Sequence, residues 1–263
     1  MPQLGLGTWR LREAEATAAV QSALSLGYRH IDTARMYENE RAVGEGIRHG
    51  GVARQALHVT SKAWSSELTP GALRRSIEAS LRELGLDWID LYLIHWPAEG
   101  MNLPAALGAM MQARDEGLIH AIGVSNFPVA LLEQAVAVAP IACNQVEYHV
   151  GLSQGAVRRF ADAHDMAVAA YCPLGRGRAA EEPVLQAIAH QHGATPGQVA
   201  LRWLLDQDGV AAIPKAASPA HQAENLAALS LRLSADERAA IDALPKSLRL
   251  VNPASAPKWD PPG

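Results

Sequence analysis

The sequence predicts an α/β fold, a (β/α)8 barrel, on three observations. Short apolar runs alternate with longer amphipathic stretches eight times, and that alternation favours parallel strands joined by helical crossovers. The chain has 263 residues, about the size of one such barrel. A doubly wound open sheet would need a glycine-rich turn after an early strand with an acid about 20 residues on. Here Gly5-Leu6-Gly7 lacks the third glycine. No Ser/Gly/Pro-rich linker interrupts the pattern, so residues 1–263 read as a single domain.

The elements follow in order. Strands are predicted over 4–7, 28–32, 57–61, 89–95, 119–124, 142–146, 167–171 and 210–213, each a short apolar run. Helices are predicted over 13–26, 40–49, 70–84, 103–116, 129–138, 155–164, 184–192, 196–206, 219–229 and 235–244. Thr69-Pro70, Thr195-Pro196 and Ser218-Pro219 each supply a capping residue and a proline suited to the first turn. Ser234 and Glu237 form a capping box. Gly27, Gly117 and Gly193 follow helical patterns where a left-handed residue is wanted.

Composition excludes several function classes. Net charge is −4, with 49% apolar and 19% charged residues. That is a globular balance with no basic excess for nucleic acid. The N-terminus MPQLGLGTWRL lacks the regions of a secretory signal, and no apolar run is long enough for a membrane span. Two cysteines, Cys143 and Cys172, make no disulfide framework. The expectation is a cytoplasmic protein without metal. His190 and His192 read as a solvated helix end. Of 23 Lys and Arg residues, only four are lysines: Lys62, Lys215, Lys246 and Lys258.

Chemistry in such a barrel sits where strands end and the following loops begin. Asp32, Tyr37, Lys62 and His95 come from three consecutive strand ends and converge at one rim. An ammonium beside a phenol stabilises the phenolate and lowers the phenol's pKa. A carboxylate keeps that ammonium charged and in place, and a neutral imidazole can hold a carbonyl oxygen. The set suits general-acid protonation of a carbonyl. Taken singly, each residue has a structural alternative: Asp32 as a helix cap or Lys62's ion-pair partner, Tyr37 as a packed rim residue, His95 as a core histidine. Lys62 as a Schiff-base lysine would instead mark an aldolase.

Eight segments together resemble the aldo-keto reductase superfamily. They are GLGTW over 5–9, YRHIDTARMYENE over 28–40, SKAW over 61–64, LYLIHWP over 91–97, GVSNF over 123–127, NQVEYH over 144–149, YCPLGRG over 171–177, and IPKA over 213–216 with Glu224-Asn225. They cover nearly the whole chain in the family's order. The tail over 249–260 is most similar to the branch that reduces 2,5-diketo-D-gluconate and methylglyoxal-type aldehydes. The resemblance implies NADPH-dependent reduction of small aldehydes and ketones by a monomer, with Tyr37 as proton donor, Lys62 and Asp32 tuning it, and His95 orienting the carbonyl. It implies that Thr8, Ser125, Asn126, Gln145, Tyr171, Leu174, Gly175, Lys215, His221, Glu224 and Asn225 bind cofactor. Within that set, Ser125, Asn126 and Gln145 would hold the carboxamide, Tyr171 would stack on the nicotinamide, and Lys215 would meet the 2′-phosphate. Trp9, Trp64 and Trp96, with His95, would line the substrate pocket. Two positions depart from the pattern: Ala216 replaces a serine, and His221 replaces an arginine that grips the 2′-phosphate. NADH use is therefore expected beside NADPH. The family's N-terminal hairpin is largely missing. The family also contains cofactor-binding members with regulatory or structural roles, which would bind NADPH with negligible turnover.

Overall fold

The computed structural model of the protein describes residues 1–261. Eight parallel strands run in sequence order around a ring. They are β1 (Leu6–Gly7), β2 (His30–Asp32), β3 (His58–Ala63), β4 (Ile89–Ile94), β5 (Ile119–Ser125), β6 (Ile141–Glu147), β7 (Ala167–Tyr171) and β8 (Val210–Ala212). The ring closes where Leu4 bridges Ala212 and Gly7 bridges Lys215. There the Gly5 and Gly7 amides donate to the Ala212 and Pro214 carbonyls at 2.9 and 3.0 Å. A Cβ on Gly7 would stand 2.7 Å from the Ile213 carbonyl oxygen. The Gly-Leu-Gly segment is thus a seam that lets two backbones meet, not a phosphate turn. β1 pairs with β2 only at Leu6 and Gly7, so it is shorter than the apolar run, whose Leu4 belongs to the seam.

Among the described residues, ten α-helices pack outside the ring. They are α1 (Glu13–Leu26), α2 (Glu40–His49), α3 (Pro70–Leu84), α4 (Leu103–Asp115), α5 (Val129–Val136), α6 (Gly155–Asp162), α7 (Pro183–His192), α8 (Pro196–Leu205), α9 (Pro219–Ala227) and α10 (Ala235–Asp242). Ser234 and Thr195 head complete capping boxes with Glu237 and Gln198, and Ser218 accepts the His221 amide. Thr69 differs: it stands at the cap position, but its hydroxyl makes no capping bond. Gly27, Gly117 and Gly193 all take positive φ. The predicted ends of α5 and α6 overshoot because their last turns tighten. Val138 and Ala139 both donate to the Ala135 carbonyl, and Asp165 takes a left-handed φ of 50° after α6. Beyond α9 the helical pattern continues as a 3₁₀ turn over Ala228–Ser230.

The main apolar core lies between strands and helices, from Val20 and Ile31 through Tyr92 and Phe127 to Leu204. Alternate strand residues point into the ring. Inside, Leu91, Leu93, Cys143 and Ala169 form a separate buried cluster. Gly123 makes room for it, since a Cβ there would sit 2.4 Å from Leu93 Cδ2. Polar side chains lie above and below this plug. At the strand starts, buried His30 meets the His58 ring edge-on at 5.0 Å and bonds the Thr60 hydroxyl through Nε2 at 3.2 Å. At the strand ends lie Asp32, Lys62 and Gln145. Among the described residues, no helix is long and apolar enough to cross a membrane.

Candidate active site

The site is built on the carboxyl ends of the strands. Asp32 ends β2 and is fully buried. Its Oδ1 accepts the Lys62 ammonium at 2.5 Å, and its Oδ2 accepts the Gln145 amide at 2.7 Å. Lys62 has no exposed surface, and its Nζ also donates to the Thr33 carbonyl at 2.8 Å. Asp32 is therefore an ion-pair partner and not a helix cap. Tyr37 follows on a 3₁₀ turn, Arg35–Tyr37. Asn39 anchors that turn by accepting the Thr33 hydroxyl and donating to the Thr8 and Leu11 carbonyls. The Lys62 Nζ lies 5.1 Å from the centroid of the Tyr37 ring.

His95 stands just beyond β4, its amide held by the Ala63 carbonyl. Its ring meets Tyr37 edge-on at 5.7 Å and Trp64 at 5.1 Å. Its buried Nδ1 has no partner among the described residues. Burial, and then the charge of Lys62, hold His95 well below the usual histidine range. It is a neutral imidazole. Burial, followed by the negative charge of Asp32, raises the Tyr37 hydroxyl well above the phenol range. The phenol therefore keeps its proton, and the lowering expected from Lys62 alone is outweighed. Burial also lowers Lys62, with Asp32 opposing.

These groups face a cavity of about 470 Å³, within the range of small-molecule sites. Its walls include Trp9, Trp64, Trp96, Asn126, Gln145, Tyr171, Leu174 and Lys215. Asn126, in a left-handed conformation with φ 63°, donates to the His95 carbonyl and Ser125 hydroxyl and accepts the Tyr171 hydroxyl at 2.8 Å. Lys62 lies beneath the cavity. Other predicted residues stand off the lining. Thr8 is fully buried, donating its hydroxyl to the Asp32 carbonyl at 3.0 Å. Ser125 is buried behind Asn126. Gly175 supplies a left-handed turn of φ 56°. His221 and Asn225 lie on α9, and Glu224 there accepts the Thr195 hydroxyl at 2.7 Å.

The cavity also has walls that were not predicted. Met36, Arg10, Cys172, Ile213 and Val251 all line it. Arg10 and Arg176 lie over the Trp9 ring at 4.3 and 5.7 Å. Met36 and Arg10 adjoin predicted residues, which is the one signal that could have found them. Val251 arrives from the tail, across the barrel.

A dinucleotide with a nicotinamide fits these side chains. Two amides and a tyrosine ring line the same cavity as Arg176 and Lys215, which suits an amide-bearing ring at one end and phosphates at the other. Among the described residues, no group of three or more His, Cys, Asp or Glu side chains could hold a metal ion.

A small-molecule-sized cavity at the strand ends of a (β/α)8 barrel, with a buried Asp–Lys pair beneath a tyrosine and a neutral histidine, defines an oxidoreductase class. Residues 3–246 match the Aldo/keto reductase family, and the chain belongs to it. It is an NAD(P)H-dependent oxidoreductase. A methylglyoxal reductase, DkgB of Yersinia pestis, is 42% identical over 99% of both chains. An uncharacterised oxidoreductase of Bacillus subtilis, YtbE, is 41% identical over 95% of this chain and 91% of its own. Among solved structures, one provisionally assigned as a 2,5-diketo-D-gluconic acid reductase B superposes with a TM-score of 0.97 at 39% identity. It covers 99% of this chain and 94% of its own.

Proposed function

We propose that the protein reduces small aldehydes and ketones, of the methylglyoxal and 2,5-diketo-D-gluconate kind, with NADPH, and that Tyr37 is the proton donor. The observation that carries this reading is the convergence of Tyr37, Lys62, Asp32 and His95 at one cavity. When bound, the reduced nicotinamide supplies a hydride to the carbonyl carbon. The chain's own residues handle the oxygen. His95 is neutral and its Nε2 is free to position the carbonyl. Tyr37 retains its proton until negative charge develops on the oxygen, and then donates it. The phenolate so formed lies near the Lys62 ammonium, whose position Asp32 and Thr33 fix.

Asn126 and Gln145 would hold the carboxamide, supported from behind by Ser125 and Asp32. Tyr171 would stack on the ring. Leu174 and Gly175 would follow the diphosphate, and Lys215 would meet the 2′-phosphate. Glu224 and Asn225 would face the adenine from α9. His221 supplies a weaker anion grip than an arginine fork, so NADH is also accepted. Trp9, Trp64 and Trp96 form the apolar wall for the substrate.

The test follows NADPH absorbance with methylglyoxal, 2,5-diketo-D-gluconate and 4-nitrobenzaldehyde. Turnover is expected with at least one. Cofactor binding with no turnover of any would overturn the reductase reading in favour of a regulatory or structural role. Tyr37→Phe should abolish turnover while quenching of NADPH fluorescence persists.

A further inference from the structure

The chain after α10 turns back across the strand ends. Leu152 pairs with Ser247, and the Leu248 amide donates to the Gly151 carbonyl at 2.8 Å. The next residues reach Glu147, which ends β6 and has no exposed surface. Three N–H groups converge on its carboxylate. Oε1 accepts Leu250 at 2.7 Å and His149 Nε2 at 3.0 Å, and Oε2 accepts Val251 at 2.9 Å. His149 Nδ1 accepts the Gly151 amide at 3.2 Å, which leaves the ring proton on Nε2. Burial alone would raise the Glu147 carboxyl; the bonds from His149, Leu250 and Val251 outweigh it and hold the group below the usual range.

Beyond Val251 the tail stays on the barrel. Arg249 lies over the Trp259 ring at 3.8 Å, and Trp259 packs edge-on against Trp96 at 6.0 Å. Asp260 Oδ2 accepts the Val129 amide at 3.0 Å, at the start of α5. The tail is therefore a strap pinned at both ends. It meets the cavity directly through Val251 and braces Trp96 from behind.

We propose that Glu147 is a positioning residue that pins Val251 as a wall of the substrate pocket, and so sets how tightly the larger carbonyl substrates bind. This rests on the reductase reading above. The chemistry requires a carboxylate. Three donors need two acceptor oxygens, and a carboxylate supplies both. In Glu147→Gln the remaining oxygen can keep His149 and Leu250. The new NH2 then faces the Val251 amide, donor against donor, and that bond is lost.

Glu147→Gln in the full chain tests this. The KM for 4-nitrobenzaldehyde, which fills more of the cavity, should rise about tenfold, the scale of a lost apolar contact. Its kcat, the KM for methylglyoxal and the Kd for NADPH should each stay within about twofold, since groups that contact neither reacting atoms nor cofactor leave those steps alone. Amide exchange at Val251 should accelerate while β4 remains protected. Val251→Ala trims the wall itself, should reproduce the KM split, and carries the test if Glu147→Gln does not fold. In the double variant the effects should not add. Equal loss of kcat on both aldehydes, additive effects, or an unchanged KM for the aryl aldehyde would each overturn the proposal. If the wild-type chain binds NADPH but turns over neither aldehyde nor 2,5-diketo-D-gluconate, the reductase reading fails instead. The exchange measurement then still decides whether Glu147 pins the strap.

Discussion

Removing the ammonium of Lys62 should separate chemistry from cofactor binding. The Nζ lies 5.1 Å from the Tyr37 ring centroid. At that distance, and at an effective dielectric constant of about 20, a unit charge stabilises a phenolate by about 3 kcal/mol. That converts to roughly 200-fold in rate. Lys62→Met should therefore lower kcat by about two orders of magnitude, with the Kd for NADPH within about twofold. The same change leaves Asp32 buried with only Gln145 as partner, a defect of about 3–5 kcal/mol in stability. Thermal melts must accompany the kinetics, and rates are compared below the variant's transition. Lys62→Arg keeps the charge but not the fit. The slot is fully buried and offers two acceptors, at 2.5 and 2.8 Å. A planar guanidinium overfills it at about 1–3 kcal/mol and displaces the charge, so kcat should fall at least about tenfold. A folded Lys62→Met with kcat within about fivefold of wild type would refute the electrostatic role. So would a loss of cofactor affinity parallel to the loss of rate.

Other predictions rest on independent features. His221→Arg should raise the preference for NADPH over NADH by about tenfold, because a fork replaces a single ring nitrogen as the phosphate grip; paired Kd titrations decide, and an unchanged ratio would place His221 away from the phosphate. Burial lowers His30 to about 4, and burial with the neighbouring His30 lowers His58 to about 3. Between these values and the ordinary pKa near 6.5, the unfolded chain binds protons that the folded chain does not. Stability should thus fall on acidification through that window, by about 1.4 kcal/mol per pH unit for each histidine. In urea titrations at pH 7 and 5, His30→Gln, which can keep the Thr60 bond, should flatten that slope; an unaltered slope refutes it. Ser234→Ala should cost about 1 kcal/mol, whereas Thr69→Ala should cost less than about 0.3, since only the first loses a capping bond; comparable melting-temperature losses would contradict the structure.

The fold was legible because its signals are local. Each strand and helix announces itself within its own residues, and each helix cap within four. The meeting of Asp32, Tyr37, Lys62 and His95 was legible because these residues stand at or just after strand ends, which alternation alone locates. What stayed hidden depends on distant parts of the chain meeting. The Leu250 amide reaches Glu147 across 103 positions, and Gln145 reaches Asp32 across 113. No periodicity reports such pairs. Thr69 shows a smaller gap of the same kind: residue type selects a cap position, but the rotamer decides whether the bond forms. The raised Tyr37 hydroxyl also eluded a pairwise reading. Lys62 alone would lower it, yet burial and Asp32 dominate, and burial is a property of the assembled barrel.

The scarcity of lysine now has a structural account at two of its four positions. Lys62 and Lys246 share one geometry. Each ammonium bonds two oxygens and lies near an aromatic ring, with Lys62 fully buried and Lys246 half-buried. Lys246 Nζ donates to the Val150 and Ile241 carbonyls at 2.8 and 2.6 Å and lies 4.6 Å from the Trp203 centroid. A compact ammonium satisfies itself with so few acceptors, whereas a guanidinium carries five donors that would need more. Elsewhere the chain can use arginine because its cations lie at the surface or meet several acceptors, as Arg54 does with the Leu57 and Trp88 carbonyls and the Asp90 carboxylate. The two lysines differ in what they hold. Lys62 holds the Tyr37 environment, while Lys246 ties the end of α10 and the root of the strap to the segment after β6. Lys246→Arg should therefore lower the melting temperature, by an overpacking cost of about 1–3 kcal/mol, and leave kcat within about twofold. Lys62→Arg should do the reverse in emphasis, with the larger loss in kcat. If both variants lost rate and stability in the same proportion, the shared geometry would reflect packing alone, and Lys62 would have no electrostatic part in the reaction.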